Sequence, residues 1–162
     1  MILEFPYQNA RIMKTFLFAI ISTILLNTLS FAQQAGISTT GQNTYTFNFY
    51  DGTFDQALKE AAKKKKIVFV DAYTSWCGPC KMLNNSTFKD VKAGEFFNAN
   101  FVNIKIDMEK GEGPAFAMKY SVRAYPTLLF INAKGEVVHK TLGYKDADML
   151  TEEGKIALAK GK

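Results

Sequence analysis

The run Ile67-Val68-Phe69-Val70-Asp71-Ala72-Tyr73-Thr74-Ser75-Trp76-Cys77-Gly78-Pro79-Cys80 decides the reading of this chain. Four consecutive apolar residues, mostly β-branched, predict a central strand covered on both faces. The strand should end at Asp71-Ala72-Tyr73, with a helix starting near Cys77. Pro79 is tolerated in a first helical turn, where its missing N–H would have had no partner. Met82 and Leu83 continue the apolar face. Cys77 then falls at a helix N-terminus, with Cys80 within the first turn.

That placement carries chemistry. Unpaired N–H groups and the helix dipole favour negative charge at this end. A thiol with the free-cysteine pKa of about 8.5 is only about 3% thiolate at pH 7. Bringing it to neutrality makes it about half thiolate, roughly a fifteenfold gain. Cys80 is close enough to close a disulfide but expected to lie farther from solvent, which gives an attacking thiol and a resolving one. A C-x-x-C pair is also half of many zinc sites. The chain has two cysteines and one histidine, His139, so Cys₄, Cys₃His and Cys₂His₂ sites within one chain are excluded. A zinc site shared between two chains stays open.

Outward from this core, Tyr45, Phe47 and Phe49 alternate with Thr46 and Asn48 and predict a half-buried strand over residues 45–49. Thr53 and Gln56 have the spacing of a capping box, followed by apolar Phe54, Ala57, Leu58, Ala61 and Ala62 at helical spacing. Asn84-Asn85-Ser86-Thr87 predicts a break before a helix capped by Asp90. Residues 101–106 read as a strand ending at Asp107, and Gly113-Pro114 opens a short helix. Residues 127–131 and 136–140 predict a hairpin, and a helix over 146–160 closes the domain. The order predicts an α/β fold: a central mixed sheet with helices on both faces and a C-terminal antiparallel hairpin.

The chain has 162 residues, 48% hydrophobic and 22% charged, which predicts one packed domain rather than a disordered chain. Residues 1–32 have the order of a signal peptide. Met13 and Lys14 precede an apolar run at 16–26, and Ser30 and Ala32 occupy the −3 and −1 positions of a cleavage site. Eleven apolar residues are short of the roughly twenty that span a bilayer, so no retained span is expected. Met13 is the expected start, residues 33–44 a flexible leader, and residues 45–162 the folded domain. Without residues 1–32 the net charge falls from +5 to about +4, and the run Lys63 to Lys66 sits at a helix end. Nucleic-acid binding, which wants a clustered basic face, is not expected.

The residues 67–71 with Trp76-Cys77-Gly78-Pro79-Cys80 resemble the strand and active-site loop of the thioredoxin family. Ser121-Val122-Arg123-Ala124-Tyr125-Pro126-Thr127 is similar to its cis-proline segment, and Lys134-Gly135-Glu136 with Gly143 to its terminal hairpin. The segment from Ser86 to Asp107 resembles the exported thioredoxin-like domains of thiol–disulfide interchange proteins more closely than small cytosolic thioredoxins. The resemblance implies a thioredoxin-like fold and a redox-active Cys77–Cys80 disulfide, with no cofactor or metal. It further implies that Pro126 is cis, that the backbone of Tyr125 pairs with a substrate chain, and that Trp76, Gly78, Pro79, Tyr125 and Pro126 form the substrate-docking surface. Asp71, six residues before Cys77, is implied as a buried proton acceptor for Cys80. The family often pairs this carboxylate with a lysine; Asn103 is expected at that position, with Lys105, pointing the same way, two residues on.

The expected function is reduction of disulfides in protein substrates outside the cytoplasm, by a monomer recharged by a membrane or soluble electron donor. The dipeptide Gly78-Pro79 is the one the resemblance associates with reductants. Three alternatives stay open: an oxidant or isomerase using the same cysteines, a peptide-binding module, and the inter-chain zinc site.

Overall fold

The computed structural model describes residues 46–161. The segment read as a signal peptide, the leader at 33–44 and Tyr45 lie outside the described residues. Helix α1 (Phe54–Lys64) starts with the expected capping box. The Thr53 side chain accepts from the Gln56 N–H, and the Gln56 side chain accepts from the Thr53 N–H. Its apolar stripe buries Phe54, Ala57 and Ala61. The chain then enters β1 (Ile67–Tyr73), helix α2 (Gly78–Asn85) and a 3₁₀ turn at Thr87–Lys89. Helix α3 (Val91–Asn100) is capped by Asp90, which accepts from the Ala93 N–H. Strand β2 (Phe101–Asp107), helix α4 (Gly113–Lys119), strands β3 (Thr127–Ile131) and β4 (Val137–Leu142) and helix α5 (Ala147–Lys160) complete the order.

Among the described residues the sheet runs β2-β1-β3-β4. Strands β1 and β2 are parallel, while β3 is antiparallel to both β1 and β4. This is the mixed sheet with a terminal hairpin expected from the sequence. Period-2 alternation divides the strand side chains between two faces. Val68, Val70, Ala72, Val102, Ile104, Ile106, Leu129 and Ile131 pack with Phe54, Ala57, Ala61, Phe116 and Tyr120 of the α1 and α4 side. Ile67, Phe69, Phe101, Leu128 and Phe130 pack with Leu83, Ala93, Phe97, Leu150 and Ala157 from α2, α3 and α5. That second layer is built largely from phenylalanine. Phe69 and Phe97 meet edge to face at 4.8 Å between ring centroids, and Phe47 contacts Phe88 at 5.0 Å and Phe97 at 4.9 Å.

The described part of the strand expected at 45–49, residues 46–49, is not a ladder strand. Phe49 makes a single parallel bridge to Asn103, and the Tyr50 N–H donates to the Asn103 carbonyl at 2.7 Å. The remaining backbone finds other partners: the Thr46 N–H donates to the Phe88 carbonyl, and the Asn48 N–H to the Asn98 side chain. The alternation correctly marks Phe47 as buried and Asn48 as exposed. Periodicity reports burial, and the burial here is supplied by an aromatic cluster rather than by ladder pairing.

Candidate active site

Helix α2 begins where β1 runs out, and Cys77 is its N-cap. The Cys77 N–H donates to the Thr74 carbonyl at 3.3 Å, which folds the short connection back on itself. The Cys80 N–H donates to Cys77 Sγ at 3.2 Å. One of the orphan donors of the helix start therefore points at the sulfur expected to be the nucleophile. Cys77 and Cys80 form a disulfide with Cα atoms 5.3 Å apart. The expected difference in exposure is small in this oxidised state, since Cys77 is 3% and Cys80 1% exposed. The asymmetry lies in the backbone donor on Cys77 instead.

Asp71 is completely buried. Strand parity puts it on the same side as Ile67 and Phe69, the side covered by α2. Its register partner on β2 is Lys105, whose ammonium donates to Asp71 Oδ2 in a short contact. Lys105, not Asn103, therefore meets the carboxylate across the strands, contrary to the expectation from the sequence. Asn103 belongs to the edge, where its side-chain N–H₂ donates to Asn48 and Asn98. Counting along an isolated strand cannot fix the cross-strand register, because the offset between β1 and β2 is set by packing. Lys105 also donates to Asn84 Oδ1 of α2 at 2.8 Å. The rings of Tyr73, Phe88 and Phe49 lie 4.7, 4.8 and 5.2 Å from its nitrogen. The second Asp71 oxygen, Oδ1, is buried with no hydrogen-bond partner among the described residues.

The surface around the disulfide comes from three separate segments. Trp76 is 63% exposed. Its indole N–H donates to Glu109 Oε1 at 2.9 Å, and its ring meets Tyr125 edge to face at 5.9 Å. Glu109 follows β2 and is held near the site because the Met108 N–H donates to the Tyr73 carbonyl. The Tyr125–Pro126 peptide bond is cis. The Pro126 carbonyl accepts from Gly143, and the Ala124 carbonyl accepts from the Thr127 hydroxyl. No turn or loop hydrogen bond engages the Tyr125 backbone among the described residues. Gly78 faces open space, with no atom within 4 Å of where a Cβ would sit.

The structure thus brings Trp76, Cys77, Cys80, Asp71 and Tyr125-Pro126 around the end of one strand pair. Glu109 and Asn84 were not among the residues picked out from the sequence. The spacing that could have found Asn84 is Cys80 to i+4, one helical turn along the same face.

The domain family described as a thioredoxin-like domain matches residues 54–156. The chain belongs to the thioredoxin-like family. It is 34% identical over 123 residues to mitochondrial thioredoxin of Bos taurus, covering 76% of this chain and 69% of that one. A solved structure from Bacteroides thetaiotaomicron, described as a candidate disulphide-isomerase, is 48% identical with a TM-score of 0.63. It covers 70% of this chain and 94% of its own. The oxidised C-terminal domain of DsbD from Neisseria meningitidis shares the fold, with a TM-score of 0.56 and 22% identity over 67% of this chain and 97% of that one. As a thioredoxin-like protein, the chain is a thiol–disulfide oxidoreductase. Among the described residues of this thioredoxin-like chain, no helix is long and apolar enough to cross a membrane, and no cluster of three or more His, Cys, Asp or Glu could hold a metal ion.

Proposed function

We propose that this protein reduces disulfides in protein substrates outside the cytoplasm, with Cys77 as the attacking thiolate and Cys80 as the resolving thiol. The observation that carries the reading is the Cys80 N–H donated to Cys77 Sγ at the start of α2. A donor at a helix N-terminus stabilises the thiolate over the thiol. The export half of the reading rests on the signal-like order of residues 1–32.

The reaction runs in two steps. The Cys77 thiolate attacks one sulfur of a substrate disulfide, forming a Cys77–substrate bond and releasing the other substrate sulfur as a thiolate. Cys80 then gives its proton to Asp71 Oδ1, the buried oxygen that Lys105 leaves unpaired. The Cys80 thiolate attacks Cys77 Sγ, the Cys77–Cys80 bond forms, and the electron pair leaves on the second substrate sulfur. Two electrons pass to the substrate, and the protein ends as the disulfide seen here. Trp76, Gly78 and Pro79 offer the docking surface, and the Tyr125 backbone offers pairing groups to an extended chain. A membrane or soluble dithiol donor returns the two electrons.

The test uses two measurements. Dithiol-loaded protein should reduce insulin, and the Cys80→Ser variant should accumulate a covalent Cys77–substrate adduct in the native compartment. An inert wild type, or adducts that survive Cys77→Ser, would sink the proposal. Equilibration with glutathione decides the direction of electron flow. A potential as oxidising as the endoplasmic reticulum poise of about −180 to −210 mV would turn the assignment toward an oxidant or isomerase.

A further inference from the structure

We infer that Asn84 is a positioning residue for the second step, holding the Lys105 ammonium on Asp71 Oδ2 so that Oδ1 stays available to the Cys80 proton. The inference rests on the two-step reading above and deepens it.

Cys80 and Asn84 are four residues apart on α2, and side chains at that spacing share a helix face. The helix that carries the resolving sulfur therefore also carries the anchor for the buried cation. The Lys105 nitrogen is met by Asp71 Oδ2 from β1 and Asn84 Oδ1 from α2, within reach of three aromatic rings. Its side chain is 16% exposed, so a path to solvent exists. A lysine has a flexible four-carbon stem, and a charge able to reach water gains hydration by leaving. The rings attract the cation without fixing its direction. Asn84 supplies a second, directional and neutral acceptor from a different element, α2 rather than β1. Being uncharged, it holds the ammonium without competing for its charge.

The consequence falls on the carboxylate. With Lys105 held, Asp71 presents one oxygen to the lysine and one to the interior, where Oδ1 has no other partner. If Lys105 swings outward, both oxygens are buried without a counter-charge, a costly state that favours prior protonation of the carboxyl. A carboxyl already carrying a proton cannot accept one from Cys80. Among the described residues, the charged or titratable groups on this side of the sheet include Asp71 and Tyr73 on β1, Lys105 and Asp107 on β2, Cys77 and Cys80 at the start of α2, and, farther along beside Phe130, His139 on β4 with Glu153 on α5. Strand β3 contributes apolar Leu128 opposite Asp71.

The experiment separates the steps by rapid mixing with a disulfide-linked peptide across pH 5 to 9. Mixed-disulfide formation is timed in a Cys80→Ser background, and peptide release is timed from the full dithiol protein. Asn84→Ala removes a hydrogen bond to a charged group and should slow release roughly tenfold near pH 7, about 1.4 kcal/mol, and change its pH profile. Formation of the mixed disulfide should stay within about twofold. Asn84→Gln, which restores the amide oxygen, should recover most of the loss. Release within twofold of wild type at every pH in Asn84→Ala overturns the inference, as does equal slowing of both steps or no recovery in Asn84→Gln. A wild type that forms no mixed disulfide fails earlier and overturns the two-step reading itself.

Discussion

Asp71 and Lys105 face each other across the parallel pair β1–β2, the carboxylate fully buried and the ammonium closed in by aromatic rings and Asn84. Bringing both charges out of water costs several kcal/mol for each, and their attraction roughly offsets that cost. Such a pair contributes little net stability while intact and a large penalty when halved. Folding stability alone therefore gives no reason for the pair, and the proton-acceptor role proposed above for Asp71 supplies one.

Lys105→Met should accordingly destabilise the protein by about 3–5 kcal/mol, because Asp71 is left buried and unpaired. The double variant Asp71→Leu with Lys105→Met should recover most of that loss while slowing substrate release. Urea unfolding of the two proteins measures the difference, and a double variant no more stable than Lys105→Met alone would contradict the account.

Gly78→His should raise the reduction potential. The position is open to a side chain, and a cationic ring beside Cys77 favours the thiolate and hence the reduced form. A tenfold change in the equilibrium with glutathione corresponds to about 30 mV, and a shift of at least that size is expected. A fall in potential would mean that the helix start does not govern the nucleophile.

Gly113→Ala should cost about 1–3 kcal/mol through overpacking. A Cβ there would lie 1.9 Å from the Asp107 carbonyl oxygen and 2.7 Å from Met108 Cα. Both are backbone atoms, so relief requires moving the turn that leads from β2 to Glu109. Thermal unfolding should show the loss, and Trp76 fluorescence should change as its Glu109 partner shifts. Because Trp76 is the chain's single tryptophan, an unchanged spectrum would show that the turn does not move.

The Glu153–His139 contact between α5 and β4 predicts an acid-sensitive contribution. Burial pushes the Glu153 carboxyl up, but hydrogen bonds from His139 and Thr141 and the charges of His139 and Lys145 outweigh it. The carboxyl is held below its ordinary value of 4.5. A lowered folded value means that the ionised form is favoured by folding. The contribution is therefore complete above the ordinary glutamate range and is lost as pH falls through the lower folded value. In Glu153→Gln that part of the acid limb should disappear, read from urea midpoints between pH 3 and 6. An identical pH dependence in the two proteins would rule the contact out.

Most elements were legible because their signals are local. The Thr53–Gln56 capping box, the Asp90 cap and the apolar run at 67–70 act within a few residues of themselves, and each stands where the pattern put it. The segment around Phe47 was misread because alternation measures burial, not pairing. The partners of Asn84 and Glu109 were hidden for another reason: each acts on a residue more than twenty positions away, Lys105 and Trp76 respectively.

By itself the sequence determined that a buried strand runs into a helix beginning at Cys77, with a second cysteine one turn along, since strand burial and helix initiation are short-range properties. Only the tertiary structure decided that Lys105 rather than Asn103 meets Asp71, and that Asn84 anchors it. Register between strands and the landing point of a helix on a sheet come from packing the whole core, and no local pattern encodes them.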